Sequence, residues 1–285
     1  MQIVIGLPNH IARVDGSLIA EWARRAEQYG FAGVTTIDRV VYPSLDSIVA
    51  LSVAAGATSD LRLITNVLLA PLYPAAPLAK QLASLADISG NRLTVGVGVG
   101  ARADDYAATG ADFEQRGRVL DETVKLMHRT WQAEVVTGGS AICPAPVQIP
   151  LLFGGKSQAT LRRVAAVGDG WAAGAVRDYP NQSSFADRVR AAWKQAGRTG
   201  KPRLNASVNF ALGDQATVHA GHANLRNYYG FIPDYAELNV ADMLASPRDA
   251  VATVRAYRDL GFDALLFHPS VASLDQLERL ADAVL

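Results

Sequence analysis

The sequence predicts an α/β protein, a (β/α)8 TIM barrel with extra helical segments over its C-terminal face. Three observations carry that expectation. Short apolar, β-branched runs alternate with longer stretches of helical period, at a pitch of roughly thirty residues. Eight such runs occur, the strand count of a closed barrel. The corner between helix and strand also repeats: Gly30-Phe31-Ala32-Gly33-Val34 and Gly261-Phe262-Asp263-Ala264-Leu265 are near copies, and Gly168-Asp169-Gly170-Trp171 is a looser third. A glycine at each corner allows positive φ just after a helix, and the chain then turns straight into an apolar strand.

The elements follow in order. Strands are expected over 2–6, 33–37, 61–68, 92–99, 150–153, 170–173, 203–212 and 263–267. Their continuous apolar runs argue for burial on both faces, hence a parallel sheet. An open doubly wound sheet would carry a glycine-rich phosphate fingerprint after its first strand. Here that position reads Leu7-Pro8-Asn9-His10. Ser17 is the expected N-cap of the first helix, whose apolar stripe is Leu18, Trp22 and Ala26. Segment 134–149, rich in Gly and Pro, reads as a loop excursion, and 213–245 reads as extra helix over the barrel mouth. No linker divides the chain, so residues 1–285 are expected to form one domain.

Composition narrows the function. The 27 basic and 27 acidic residues cancel, leaving no electrostatic footprint for nucleic acid or an anionic membrane. The single cysteine, Cys143, cannot form an internal disulfide, which points to a reducing, cytoplasmic setting. The strand-like MQIVIGLP opens the chain in place of a leader, and no run of roughly 18 apolar residues follows. The expected partner is a small-molecule substrate.

Active sites of such barrels occupy the C-terminal ends of the strands. The polar residues there are Asn9 and His10, Asp38 and Arg39, Asn66, Arg102 with Asp104 and Asp105, Lys156 and Ser157, and His268. The turn Gly154-Gly155-Lys156-Ser157 joins an apolar strand to a helix and reads as an anion cradle, most simply for a phosphate. It is not a Walker loop. Gly96, Gly98 and Gly100 alternate along strand four, which clears one face either for a flat ring or for tight packing. His219 and His222 lack an acidic partner, so no metal site is expected. A cradle, a bare strand edge and few acid–base groups point to a bound organic cofactor as the carrier of the chemistry. His10 and His268 follow strands one and eight, which become neighbours when the barrel closes. Either could move a proton, and His10 is preferred because Pro269 restricts the backbone at His268.

The run PAAPLAKQLASLADISGNRLTVGVGVGARADDYAATGADFEQRGRVLDETVKLMHRTW, followed by LLFGGKSQATLRRVAAVGDGW, resembles the luciferase-like flavin-dependent oxidoreductases over nearly the whole chain. The resemblance implies a (β/α)8 barrel and a site for FMN or a deazaflavin. It implies that Asn66-Val67 is a non-proline cis peptide pressed against the middle of the ring. Gly98 matches the floor beside the ring, Asp38 the acid facing it, and Gly154, Gly155 and Ser157 the phosphate-binding turn. Gly174 matches the next phosphate-facing loop. Departures are Arg39, where some members carry His after the acid, and Ala101, where one carries glutamate. Val99 stands where others place a phosphate-contacting arginine, with Arg102, Arg116 and Arg118 nearby as substitutes.

The first functional expectation is a two-component monooxygenase using reduced FMN and O2, supplied by a separate flavin reductase. Its catalytic candidates are His10, Asp38, Arg39 and His268, and it is expected to be a homo-oligomer, a dimer. The alternatives are a coenzyme F-420-dependent reductase or dehydrogenase, and a non-catalytic flavin-binding protein. A deazaflavin also needs cations for its acidic tail, for which Lys156, Arg177 and Arg102 are candidates.

Overall fold

The computed structural model describes residues 1–136, 138–143 and 146–285. Thr137, Pro144 and Ala145, within the expected excursion, lie outside the described residues. Eight parallel strands close a barrel in sequence order, with the last pairing back onto the first. They are β1 (Gln2–Gly6), β2 (Gly33–Thr36), β3 (Arg62–Leu68), β4 (Leu93–Val97), β5 (Leu151–Gly154), β6 (Gly170–Ala172), β7 (Arg203–Phe210) and β8 (Ala264–Pro269). All eight expected strands are present, with ends shifted by a few residues at most.

The helices of the first half are α1 (Leu18–Gln28), α2 (Ser47–Ala57), α3 (Ala75–Ile88), α4 (Ala103–Thr109) and α5 (Arg116–Trp131). Those of the second half are α6 (Gln158–Ala166), α7 (Tyr179–Gln195), α8 (Gln215–Tyr229), α9 (Pro233–Asp242), α10 (Pro247–Asp259) and α11 (Asp275–Val284). The pair α8 and α9 fills most of 213–245, as that segment's periodicity predicts.

The period of two along each strand sorts the barrel into two layers. Outward residues such as Ile5, Leu63, Val95, Phe153, Trp171 and Phe267 join the helices in one large core. Inward residues Val4, Ile64, Ala264 and Leu266 form a separate small cluster that plugs the lower barrel. Two residues further along each strand, the same inward column reaches the C-terminal mouth. It delivers Gly6 from β1, Asn66 from β3, Gly154 from β5, Ser207 from β7 and His268 from β8.

Two local expectations are corrected. Ser17 does not cap α1 through its side chain; it is already helical, and its N–H donates to Asp15 Oδ1 at 2.9 Å. The corner at Gly168 is not a positive-φ turn like Gly30 (φ 86°) and Gly261 (φ 74°). A Cβ on Gly168 would lie 2.8 Å from the Phe153 ring and 3.0 Å from Val164 Cα, so glycine serves close packing there.

Candidate active site at the C-terminal mouth

The strands end around a cavity of about 170 Å3 walled by Ile37, Asn66, Val67, Gly154, Gly155, Ala172–Ala175, Ser207, Tyr229, Tyr235 and His268. Larger grooves lie on the outer helical wall, away from the strand ends. One wall is a bulge. The β3–β4 register slips between Thr65 and Leu68, and the Asn66-Val67 peptide is cis, as the family resemblance implies. Thr65 clamps the start of the bulge, its Oγ1 donating to Gly96 O at 2.8 Å and accepting from Gly96 N at 2.9 Å.

The glycines on β4 and β5 make room for the bulge. A Cβ on Gly98 would stand 2.8 Å from Val67 Cγ2, and one on Gly154 would stand 3.2 Å from Val67 Cγ1. Gly98 is therefore the seat of Val67, and the surface that reaches the cavity at this point is Asn66-Val67.

The facing wall is backbone. Gly155 has φ 91°, a conformation that glycine adopts without steric cost. Its carbonyl accepts from Trp171 Nε1 at 2.8 Å, which fixes the turn to β6. Ser157 is the N-cap of α6, and its Oγ accepts from Thr160 N at 3.2 Å. A Cβ on Gly174 would meet nothing within 4 Å. Lys156 is exposed at the rim of this turn. The turn thus presents glycine backbone, the first N–H groups of α6, a hydroxyl and an ammonium group, a donor set suited to one phosphate.

The histidines come together, in the reverse of the expected order. Their ring centroids are 5.9 Å apart and edge-on. His268 lines the cavity, whereas His10 is buried behind it against Tyr228. Gly6 makes this possible, since a Cβ there would lie 2.8 Å from Pro269 Cδ and 3.0 Å from His268 Nδ1. His268 Nε2 pairs with Asn66 Nδ2 at 3.3 Å. The donor and acceptor roles in this pair follow the tautomer of the ring and the orientation of the amide. Burial lowers His268 to about 3, with His10 adding to the effect, and burial lowers His10 to about 4. Both rings are neutral at neutral pH.

Three acidic and amide candidates serve the loops instead. Asp38 is buried, with Oδ2 accepting from Leu69 N and Oδ1 from the Tyr73 hydroxyl, each at 2.9 Å. Burial raises it to about 6 against these bonds. Both oxygens are thus engaged in holding the chain after β3, and Asp38 is not part of the cavity wall, contrary to the expectation that it faces the ring. Asn9 staples the loop after β1 to that after β2, donating to Ile37 O and Leu45 O and accepting from Ile37 N. Asp105 Oδ1 accepts from Val40 N and Val41 N.

The cations are also redistributed. Arg102 pairs with Asp104 at 2.8 Å and stacks on Phe231, so it is not on the cavity wall. Arg116 stacks on Phe113, and Arg118 pairs with Glu122 at 3.1 Å. None of the three substitutes on the cavity wall for the arginine absent at Val99. Arg39 is likewise outside the cavity, stacked between Tyr42 and Tyr228. Lining residues not anticipated from sequence are Ile37, Ala172, Ala173, Ala175, Ser207, Tyr229 and Tyr235. The aromatic cluster Tyr228-Tyr229 on a helix expected to cover the mouth was the available signal.

Comparison with known proteins places this geometry. The chain matches the luciferase-like monooxygenase family over residues 1–245, and it belongs to that family. It is similar to an uncharacterised protein of Mycobacterium tuberculosis, 29% identical over 219 residues, covering 66% of this chain and 75% of the relative. A 5,10-methylenetetrahydromethanopterin reductase of Methanolobus tindarius is 30% identical over 192 residues, 64% of this chain and 57% of the relative. Among solved structures, an F420-dependent secondary alcohol dehydrogenase shares the fold with TM-score 0.82 at 16% identity, over 99% of this chain and 98% of the other. The family includes monooxygenases and F420-dependent enzymes. Among the described residues no helix is long and apolar enough to cross a membrane, and no metal-binding cluster occurs.

Proposed function

We propose that this chain, acting as one domain, is a monooxygenase that binds reduced FMN at the barrel mouth and acts with O2 on a small organic substrate. The observation that carries this reading is the β5–α6 turn, whose positive-φ Gly155 and Ser157 cap present backbone and hydroxyl donors to a single phosphate. Reduced FMN supplies the electrons for oxygen chemistry when bound.

The residues present fit such a group. Gly154, Gly155, Lys156, Ser157 and Gly174 would hold the phosphate, and Asn66 and Val67 would support the ring. The Asn66–His268 pair gives the cavity its polar edge. The neutral His268–Asn66 pair can orient a substrate oxygen at the cavity wall. Tyr229 and Tyr235 add aromatic surface to the cavity wall, against which an apolar part of a substrate would pack. The catalytic set is therefore led by His268, with His10 behind it. Asp38 positions the loop after β3. A separate flavin reductase, a homodimer and a cytoplasmic setting belong to the same reading.

A second reading, dependence on coenzyme F-420, is favoured by the reductase among the curated relatives. The structure supplies a counterweight. Of the three cations suited to an acidic tail, Arg177 is committed to Asp242 at 2.9 Å and Thr253 at 3.1 Å, and Arg102 pairs with Asp104 through Nη2 alone. Lys156, at the rim of the β5–α6 turn, is sufficient for a single phosphate. Equilibrium titration of the full chain with reduced FMN and with coenzyme F-420 tests the choice. Tighter binding of reduced FMN is expected, and tighter binding of F-420 by about tenfold or more would reverse it.

A further inference from the structure

A second cluster at the same mouth is used by none of the steps above. Arg39 follows Ile37 by two residues at the end of β2, and Ile37 lines the cavity. Its guanidinium carbon lies 4.3 Å from the Tyr42 ring centroid and 5.0 Å from that of Tyr228. Nη1 donates to the Tyr228 carbonyl at 2.8 Å, and Nε is buried without an acceptor among the described residues. Arg102 approaches from the end of β4, its guanidinium carbon 4.0 Å from the Phe231 ring centroid. Its Nη2 donates to Asp104 at 2.8 Å, but Nε and Nη1 are buried and find no acceptor. Asp105 Oδ2 stands 3.7 Å from Arg102 Nε, too far for a hydrogen bond.

Two guanidinium groups share two carboxylates, yet the hydrogen bonds are uneven. Arg102 has Asp104 and Asp105 beside it, while Arg39 feels both carboxylates without making an ion pair of its own among the described residues. Arg39 is held below its ordinary range by burial first and by the charge of Arg102 second. Aromatic faces offset part of the cost of two clustered guanidinium groups, but unpaired buried N–H donors remain expensive. The planar guanidinium group matches a carboxylate or phosphate edge-on, and the N–H donors still without an acceptor are Nε of Arg39 and Nε and Nη1 of Arg102.

We propose that Arg39 and Arg102 form an anion-binding site that holds the acidic group of the substrate, which is a small organic acid. Tyr228 stacks on Arg39 and the next residue of α8, Tyr229, lines the cavity, so the two sites adjoin the same helical turn. The anchored acid then sets the reach of the remainder toward Asn66 and His268. The substrate assignment rests on the reading of the cavity as the reaction site.

The test uses arginine Nε–H signals in a 1H–15N spectrum of the full chain, assigned by their loss in Arg39→Lys and Arg102→Lys. The probes are benzoate, inorganic phosphate and the uncharged benzamide, each without cofactor. Benzoate is expected to move both signals to saturation, with affinity about tenfold weaker in Arg39→Gln, and benzamide is expected to move neither. Movement by phosphate alone supports the site and assigns it a phosphorylated substrate. If neither anion moves the signals, or benzamide moves them equally, the proposal is overturned. It is also overturned if both anions are silent while Arg39→Gln weakens F-420 about tenfold and leaves reduced FMN unchanged, since the arginines then serve a cofactor tail. If Arg39→Gln does not fold, the two lysine variants still carry the titration. Because no cofactor is present, failure of the FMN reading leaves this outcome unaffected.

Discussion

The two walls of the mouth are built from opposite materials. On the β1–β3 side, Asn9, Asp38 and Tyr73 spend their polar groups on neighbouring loops, so their sequence positions mark architecture. On the β5–β6 side the wall is Gly154, Gly155 and Ala172–Ala175, nearly free of side chains, so what it offers is backbone. A polar residue at a strand end is therefore a poor guide to the lining of the cavity in this molecule, and a small one is a better guide. His268, Asn66 and Ser207 are the polar exceptions at the strand ends, and all three lie on the inward column.

Breaking the backbone wall should have the largest effect. Gly155→Val places a Cβ 3.3 Å from Thr160 Oγ1 and forces a branched side chain into φ 91°. Affinity for reduced FMN should fall about 100-fold, a loss of ~2.7 kcal/mol. The left-handed conformation itself costs about 1–2 kcal/mol, so thermal unfolding should shift by only several degrees. Isothermal titration with a parallel melt checks both.

The junction should come next. His268→Gln is expected to lower turnover about 100-fold with reduced FMN affinity little changed, whereas His10→Gln should cost less than about tenfold. Equal losses in the two variants would place His10 in direct contact with the reaction.

The polar wall should answer in stability and leave affinity alone. Asp38→Asn keeps one acceptor of two, and a melt should show a loss of about 1–3 kcal/mol. Affinity for reduced FMN should change less than about threefold.

Acid sharpens the contrast further. His10 and His268 have folded values of about 4 and about 3, below the ordinary 6.5, so the unfolded chain binds more protons in that window. Their contribution to stability is present above pH 6.5 and is lost as pH falls toward 3. Asp38, raised to about 6, acts in the opposite sense and offsets part of the loss below pH 6. Denaturant unfolding across pH 7 to 4 should therefore show a shallower decline in the double variant His10→Gln/His268→Gln than in the parent. In Asp38→Asn the decline should steepen. The smallest effect belongs to exposed Lys156: Lys156→Ala should weaken reduced FMN about threefold, and less at high salt.

The barrel was legible in the sequence because burial on both faces gives parallel strands an unbroken apolar signature, and the copied corners at Gly30 and Gly261 mark where helices end. The geometry of the β5–α6 turn was legible for a similar reason: paired glycines before an N-cap serine mark a strand-to-helix corner. The orientation of Asp38 was not, because its acceptors are filled by Leu69 N and Tyr73, which become neighbours only when β2 and β3 pair. The order of the histidines depended on Gly6, whose missing side chain admits His268 and Pro269. The seating of Val67 on Gly98 and Gly154 needed three strands in register at once. Tyr229 and Tyr235 arrive from a helix pair over the mouth, where no strand period points to them.

The most direct measurement of the account compares reduced FMN with reduced riboflavin, which lacks the phosphate, in the parent chain and in Gly155→Val. If the β5–α6 turn reads a phosphate, the parent should prefer FMN by about 100-fold, and the variant should bind the two within about threefold of each other. A parent that binds both equally, or a variant that keeps the full preference, would contradict the assignment of that turn.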